Sequence, residues 1–289
     1  MPGGAGVTVR PILDPDVPEV ARFLHENLDS RAGIERWTAA MEPPWPSPQP
    51  NHGCVLIDED RIAGVYLALY SERVIGGHRV DICNLAAWCV LSTHRHHGLR
   101  LLRALLRQEG YHFTDLSPSG NVVPLNLRLG FTQLDTATAL TPNLPWPPLS
   151  RGVRLITDPG EILRHLTGRD AEIHRDHARA AAANHLVVVR GHETCYAILR
   201  RDRRKGLPLF ASFIYVSNPS LFREAGGHVR RHLLLGRRIP FTLSELRIVG
   251  ARPRLSIMLS TPRPKMYRSP TLRAGDIDYL YSELACVVW

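Results

Sequence analysis

The chain has 289 residues, 44% of them hydrophobic, and a formal net charge of +9 carried mostly by arginine. That composition excludes global disorder, and the length makes two domains the natural expectation. No apolar run reaches the length of a membrane span, the N-terminus lacks a signal-peptide pattern, and the cysteines Cys54, Cys83, Cys89, Cys195 and Cys286 form no C-x-x-C pair; a cytoplasmic protein with reduced, buried thiols follows.

Residues 7–13 alternate like a strand, and Asp14–Pro15–Asp16 caps a helix running to Leu28. Residues 34–41 are a second short helix. The proline-rich stretch 43–50 reads as a surface loop, with Trp45 either packing back or touching a substrate. Strands follow at 53–58 and 61–70, then a long one at 79–91. After Gly98, Leu99, Leu101, Leu102, Leu105 and Leu106 recur at helical spacing, with Arg100, Arg103 and Arg107 on the other side. Residues 111–116 are a strand, 122–130 a short helix stopped by Gly130, and Phe131 opens another strand. The prolines at 142, 145, 147 and 148 mark a linker.

The second half repeats this order. Strands are expected at 153–156, 185–190, 194–201, 207–217, 242–249 and 255–259, and helices at 160–167, 171–183 and 220–235. The domains expected are therefore 1–145 and 151–289. Asp276, Asp278 and Glu283 either lie on a solvated helix face or, with Tyr267 and Arg268, line an acceptor site.

The segment from Trp88 to Leu102 carries the functional signal. An apolar run ends in a polar turn that contains a glycine, and an amphipathic helix starts at once. The first amides of a helix lack internal partners and sit at the positive end of its dipole, so they suit a phosphate. Gly98 permits close backbone approach, and Arg95, Arg100 and Arg103 add charge. The same build also suits an ordinary strand–turn–helix with a basic surface.

Two segments together resemble the GNAT acyltransferase superfamily. Its diphosphate loop reads Arg/Gln-x-x-Gly-x-Gly/Ala, matched here by Arg95 and Gly98, with Arg100 at the position usually held by a small residue. Its later helix ends in Leu-Tyr-x-x-x-Gly-Phe, matched by Leu125 and Leu129–Gly130–Phe131, with Asn126 in place of the tyrosine. The resemblance implies a mixed α+β fold, a mixed central sheet flanked by helices, here duplicated with a degenerate second copy. It implies binding of acetyl-coenzyme A or another acyl-coenzyme A through Val90, Ser92, Arg95, His96, His97, Gly98, Leu99, Arg100 and Asn126. The activity implied is N- or O-acyl transfer, acetyl above all, to a small or polar acceptor that the residues do not identify. No metal is expected. His174 and His177 share a helix face without a complete ligand set.

Acyl transfer needs a base for the acceptor and an acid for the leaving thiolate. Asp81, the acid on the long strand, is the candidate base, with Glu72 a second option. Asn126 stands at the acid's position but cannot donate as an acid. A core thiol is preferred for Cys89 over an acyl-carrying nucleophile. The rival reading is a non-catalytic scaffold that binds acyl-coenzyme A as a sensor or assembly partner. In the second half Pro219 removes an amide where a phosphate would need one, so no coenzyme site is expected there. A homodimer is one assembly considered. Nucleic acid ranks last, since charge alone supports it.

Overall fold

The computed structural model describes residues 6–148, 150–204 and 206–288. Elements are numbered in chain order. The first unit comprises residues 1–134, 265–277 and 281–289. Its strands are β1 (Thr8–Pro11), β2 (Gly53–Asp58), β3 (Arg61–Ile75), β4 (His78–Val90), β5 (Tyr111–Asp115), β6 (Thr132–Gln133) and the late strand β14 (Met266–Arg268). Its helices are α1 (Val17–Asn27), α2 (Ile34–Met41), α3 (Gly98–Leu106), α4 (Val123–Arg128) and the short α10 (Glu283–Cys286). The sheet order is β1-β2-β3-β4-β5-β14-β6, antiparallel except for the β4–β5 pair.

The alternation of β3 and β4 sends side chains to two cores. Val65, Leu67, Leu69, Ala87 and Cys89 pack with α1, α2 and Cys286. Tyr66, Ala68, Tyr70, Cys83 and Leu85 pack with Leu101, Leu102 and Leu105 of α3. The entry to α1 is fixed by Asp16, which accepts from the Leu13 amide at 2.9 Å and is held below the usual carboxylate range first by its bond from Arg10. Gly53 has φ +119°, and a Cβ there would lie 2.1 Å from the Tyr66 carbonyl oxygen. Trp45 packs back: it is buried, and its Nε1 donates to the Tyr70 carbonyl at 2.8 Å.

The second unit comprises residues 135–264 and 278–280. Its strands are β7 (Thr138–Pro142), β8 (Val153–Ile156), β9 (Asn184–Arg190), β10 (Glu193–Arg204), β11 (Leu207–Val216), β12 (Phe241–Glu245) and β13 (Ile257–Met258). Its helices are α5 (Pro159–Ile162), α6 (Gly168–His177), α7 (Pro219–Glu224), α8 (Gly226–Arg237) and α9 (Leu246–Val249). The order β8-β9-β10-β11-β12-β7-β13 repeats that of the first sheet, with the one parallel pair again between its fourth and fifth strands.

Several expectations change. A single helix over 220–235 is instead α7 and α8, divided at Ala225–Gly226. The strand expected over 242–249 ends at Glu245, where α9 begins. The linker at 142–148 does not divide the sheets. β7 precedes it yet pairs with β12 and β13, and β14 lies far beyond it yet pairs with β5 and β6. Proline density marks where regular structure stops, not where the chain changes sheet. His174 and His177 are buried; both ring nitrogens of His177 lie on backbone carbonyls, Nδ1 2.8 Å from Ile173 and Nε2 3.0 Å from Leu280. All five cysteines are free and buried. Among the described residues no helix is long and apolar enough to cross a membrane.

Candidate active site

The site begins with a local fault in β4. Opposite β3, the register steps from Tyr66↔Trp88 to Ala68↔Leu85, so β4 spends three residues where β3 spends two. The extra residue is a bulge at Ala86–Ala87, which bends the strand. On its other side β4 pairs with β5 only from Asp81↔Tyr111 to Leu85↔Asp115. Among the described residues, the stretch from Ala86 to Val90 therefore pairs with β3 alone. That leaves main-chain groups along one edge for a ligand to use.

The strand then enters a 3₁₀ turn, Ser92–His97, that runs directly into α3. The turn is pinned by His94, whose Nε2 lies 2.9 Å from Asp58 Oδ2 and whose Nδ1 lies 2.8 Å from Thr93 Oγ1. The His96 and His97 ring centroids lie 4.0 Å apart, with the rings tilted by 46°. His97 is held below the ordinary histidine pKa, by lost hydration first and then by His96 and Arg100. Arg95 and Arg100 are exposed, so the turn and the head of α3 present a cationic surface.

Gly98 is buried, and a Cβ there would lie 3.4 Å from Trp88 Cζ2 and 3.6 Å from Val90 Cγ2. Its small size lets α3 sit on the Trp88 indole, which in turn stacks on Tyr66 at 4.6 Å. The Gly98 amide donates to the Arg95 carbonyl, and that of His94 to Leu91 at 2.9 Å. These two amides are engaged within the turn. Side-chain cations therefore carry more of any anion binding here than the sequence pattern implies.

The two catalytic candidates lie apart. Asp81 is exposed on the stretch of β4 that is paired on both sides. At about 3.3 Å per residue it stands roughly 16 Å along the strand from the bulge. The structure does not bring it to the splay, because the bulge rather than the strand start sets where β4 and β5 part. Glu72, its cross-strand partner, is ion-paired with Arg79. Asn126 does reach the splay. It is fully buried on α4, and its Nδ2 donates to Asp115 Oδ2 at 2.8 Å, while its Oδ1 is buried with no hydrogen-bond partner among the described residues. Cys89 is a core thiol whose pKa burial pushes up to about 11.

Two carboxyls lie beneath this point: sequence reasoning missed Asp115, and it placed Glu283 either on a solvated helix face, which its burial contradicts, or in an acceptor site. Asp115 ends β5, level with Leu85, and is 3% exposed. Loss of hydration first, then the nearby Glu283 charge, raises its pKa to about 7, against bonds from Asn126 and the Ser117 amide. Glu283 is fully buried at the start of α10. Its Oε1 accepts from Ser117 Oγ at 2.6 Å, and its amide donates to Asn84 Oδ1 at 3.1 Å. Asn84 Nδ2 in turn donates to Thr114 Oγ1 at 3.0 Å. Tyr66 is held well above the usual phenol range by burial, then by Asp115 and Glu283. A carboxylate ending a strand between Phe113 and Leu116 was the available signal for Asp115. Glu283, among Leu280, Leu284 and Ala285, gave the same signal.

The second unit differs at the matching place. β11 enters α7 at Pro219, and the Leu221 amide is capped by Asn218 Oδ1 at 3.1 Å.

No known protein family and no curated protein matches the sequence. Solved structures do match the fold. A GCN5-related N-acetyltransferase from Anabaena variabilis aligns at 13% identity with a TM-score of 0.59, over 91% of this chain and 72% of that one. One from Kribbella flavida aligns at 13% identity and 0.56, over 91% and 70%. A GCN5-related glucosamine N-acetyltransferase region of a fungal multi-domain β-N-acetylglucosaminidase aligns at 12% identity and 0.59, over 92% and 38%. The chain thus has the mixed α+β fold of the GCN5-related N-acetyltransferases, with two seven-stranded sheets of matching order.

Proposed function

We propose that the first unit binds acyl-coenzyme A and transfers its acyl group to an amine or hydroxyl acceptor. The observation that carries this reading is the end of the β4–β5 ladder at Leu85, with β4 continuing into a cationic turn and α3. In this arrangement the pantetheine arm lies along the free edge of β4 from Ala86 to Val90. The diphosphate meets Ser92, Arg95, His96, His97, Gly98, Leu99 and Arg100, where cationic side chains and the α3 dipole both favour it. Asn126 bounds the thioester end through its bond to Asp115. The fold of the neighbours supports the same reading, as does the blocked helix start in the second unit, to which we assign no coenzyme role.

Asn126 favours a second reading. With an amide fully buried where a proton donor is expected, the chain would hold acyl-coenzyme A without turning it over. Thermal stabilisation by acetyl-coenzyme A, followed by thiol release in the presence of amine acceptors, separates the two. Stabilisation should rise with ligand concentration by mass action. Thiol release above the buffer rate supports transfer, and stabilisation without release supports the binding protein. No stabilisation at saturating ligand refutes both.

A further inference from the structure

Resting on the acyl-transfer reading, we propose that Asp115 and Glu283 are its proton-transfer pair: Glu283 takes the proton of the acceptor, and Asp115 gives one to the departing sulfur. The pair supplies the acid that Asn126 cannot.

The placement argues for this division. Asp115 shares a face of the sheet with Phe113, the face on which α3 and Asn126 lie. Asn84 and Thr114 point to the opposite face, the one packed with α1 and α2, and it is Asn84 that holds the Glu283 amide. The two carboxyls thus approach from opposite faces at the point where β4 and β5 part. There the coenzyme would reach the carbonyl from one side and the acceptor from the other.

Two carboxyls in one dry site do not both ionise easily, so the pair retains a proton where isolated carboxyls would not. One member is then acid while the other is base. Among the described residues, Tyr66 on β3 and Cys286 on α10 also titrate beside the pair, and burial keeps both neutral. The neutral groups Asn126, Ser117 and Asn84 hold the two acids in place.

The step balances within the pair. The acceptor lone pair attacks the thioester carbonyl, forming the new N–C or O–C bond, and the carbonyl electrons move onto oxygen. The acceptor proton passes to the Glu283 carboxylate. As the carbonyl re-forms, the C–S bond breaks with its electrons on sulfur, and the Asp115 O–H protonates the thiolate. Glu283 then returns its proton to Asp115. No further reactant is required.

The test uses the full chain with acetyl-coenzyme A, and spermidine, glucosamine and glycinamide as amine probes. Acetyl-coenzyme A binding is measured by calorimetry, and thiol release is followed from about pH 5 to about pH 9. Asp115→Asn and Glu283→Gln should bind acetyl-coenzyme A as the wild type does and lose at least about 100-fold in kcat. An acid must be protonated to act, so Asp115→Asn should also lose the alkaline limb of the profile. A base must be ionised, so Glu283→Gln should lose the acidic limb. Asp115→Glu should restore the alkaline limb at a displaced pH, and it carries the test if Asp115→Asn does not fold. Wild-type kcat with an unmoved profile in either amide variant, or an unmoved alkaline limb in Asp115→Glu, overturns the pair and leaves acyl transfer standing. Binding without thiol release by the wild type overturns the pair in favour of the binding protein. No binding by the wild type overturns the acyl-coenzyme A reading itself.

Discussion

Replacing Asp115 by Asn should make the first unit more stable above neutral pH and about 1 kcal/mol less stable in acid. The folded chain holds this carboxyl near a pKa of about 7, where the ordinary value is 3.8. Each tenfold change in proton affinity is worth about 1.36 kcal/mol, so the full penalty for ionising Asp115 in place is about 4 kcal/mol. The native pKa is the raised one. The penalty is therefore absent below the unfolded pKa, grows between about pH 4 and pH 7, and is constant above. An amide carries no such penalty, though it accepts the bonds from Asn126 and the Ser117 amide less strongly, at a cost of about 1 kcal/mol. About 3 kcal/mol of net gain at high pH remains. For domains of roughly 150–250 residues that amounts to a Tm increase of about 6–12 °C. Thermal melts of both proteins across this pH range give the difference curve. A flat curve, or a variant whose deficit grows with pH, would mean that Asp115 is stabilised as an anion and would refute the argument.

Gly98→Glu should abolish the thermal shift caused by acetyl-coenzyme A, because a carboxylate at the head of α3 repels the diphosphate. Gly98→Ala should retain it, since its Cβ meets Trp88 at an ordinary contact distance of 3.4 Å; an equal shift in the Glu variant would show the turn to be misassigned. Gly53→Ala should destabilise the first unit by more than about 3 kcal/mol in denaturant melts, as backbone strain and a buried clash combine. A Cβ 2.1 Å from the Tyr66 carbonyl cannot be relieved by a side-chain rotation, so a loss under about 1 kcal/mol would contradict the described geometry.

Much of the architecture was legible because it rests on local signals. The leucines of α3 fall at helical spacing and are buried as that spacing requires, and β4 is where its apolar run places it. The turn at 92–98 was found from the change between those two patterns. What stayed hidden depends on contacts across the sequence. The bulge at Ala86–Ala87 leaves no mark in a pair of alanines, yet it decides where β4 leaves β5 and so removes Asp81 from the site. Glu283 reaches the site only because the C-terminal segment packs against the first sheet. The sheet that each of β7 and β14 joins is likewise set by partners distant in sequence, which periodicity does not report.

The placement of β14 constrains how the protein is made. The first sheet lacks the strand between β5 and β6 until Met266–Arg268 has left the ribosome. At about 5–20 residues per second, the stretch from Asp115 to Met266 takes roughly 10–30 s to synthesise, a long interval compared with hairpin formation. During that time the nascent first sheet has β5 as an open edge and Glu283 not yet translated. Synthesis of β14 and α10, rather than completion of the N-terminal half, is the event that completes the first sheet.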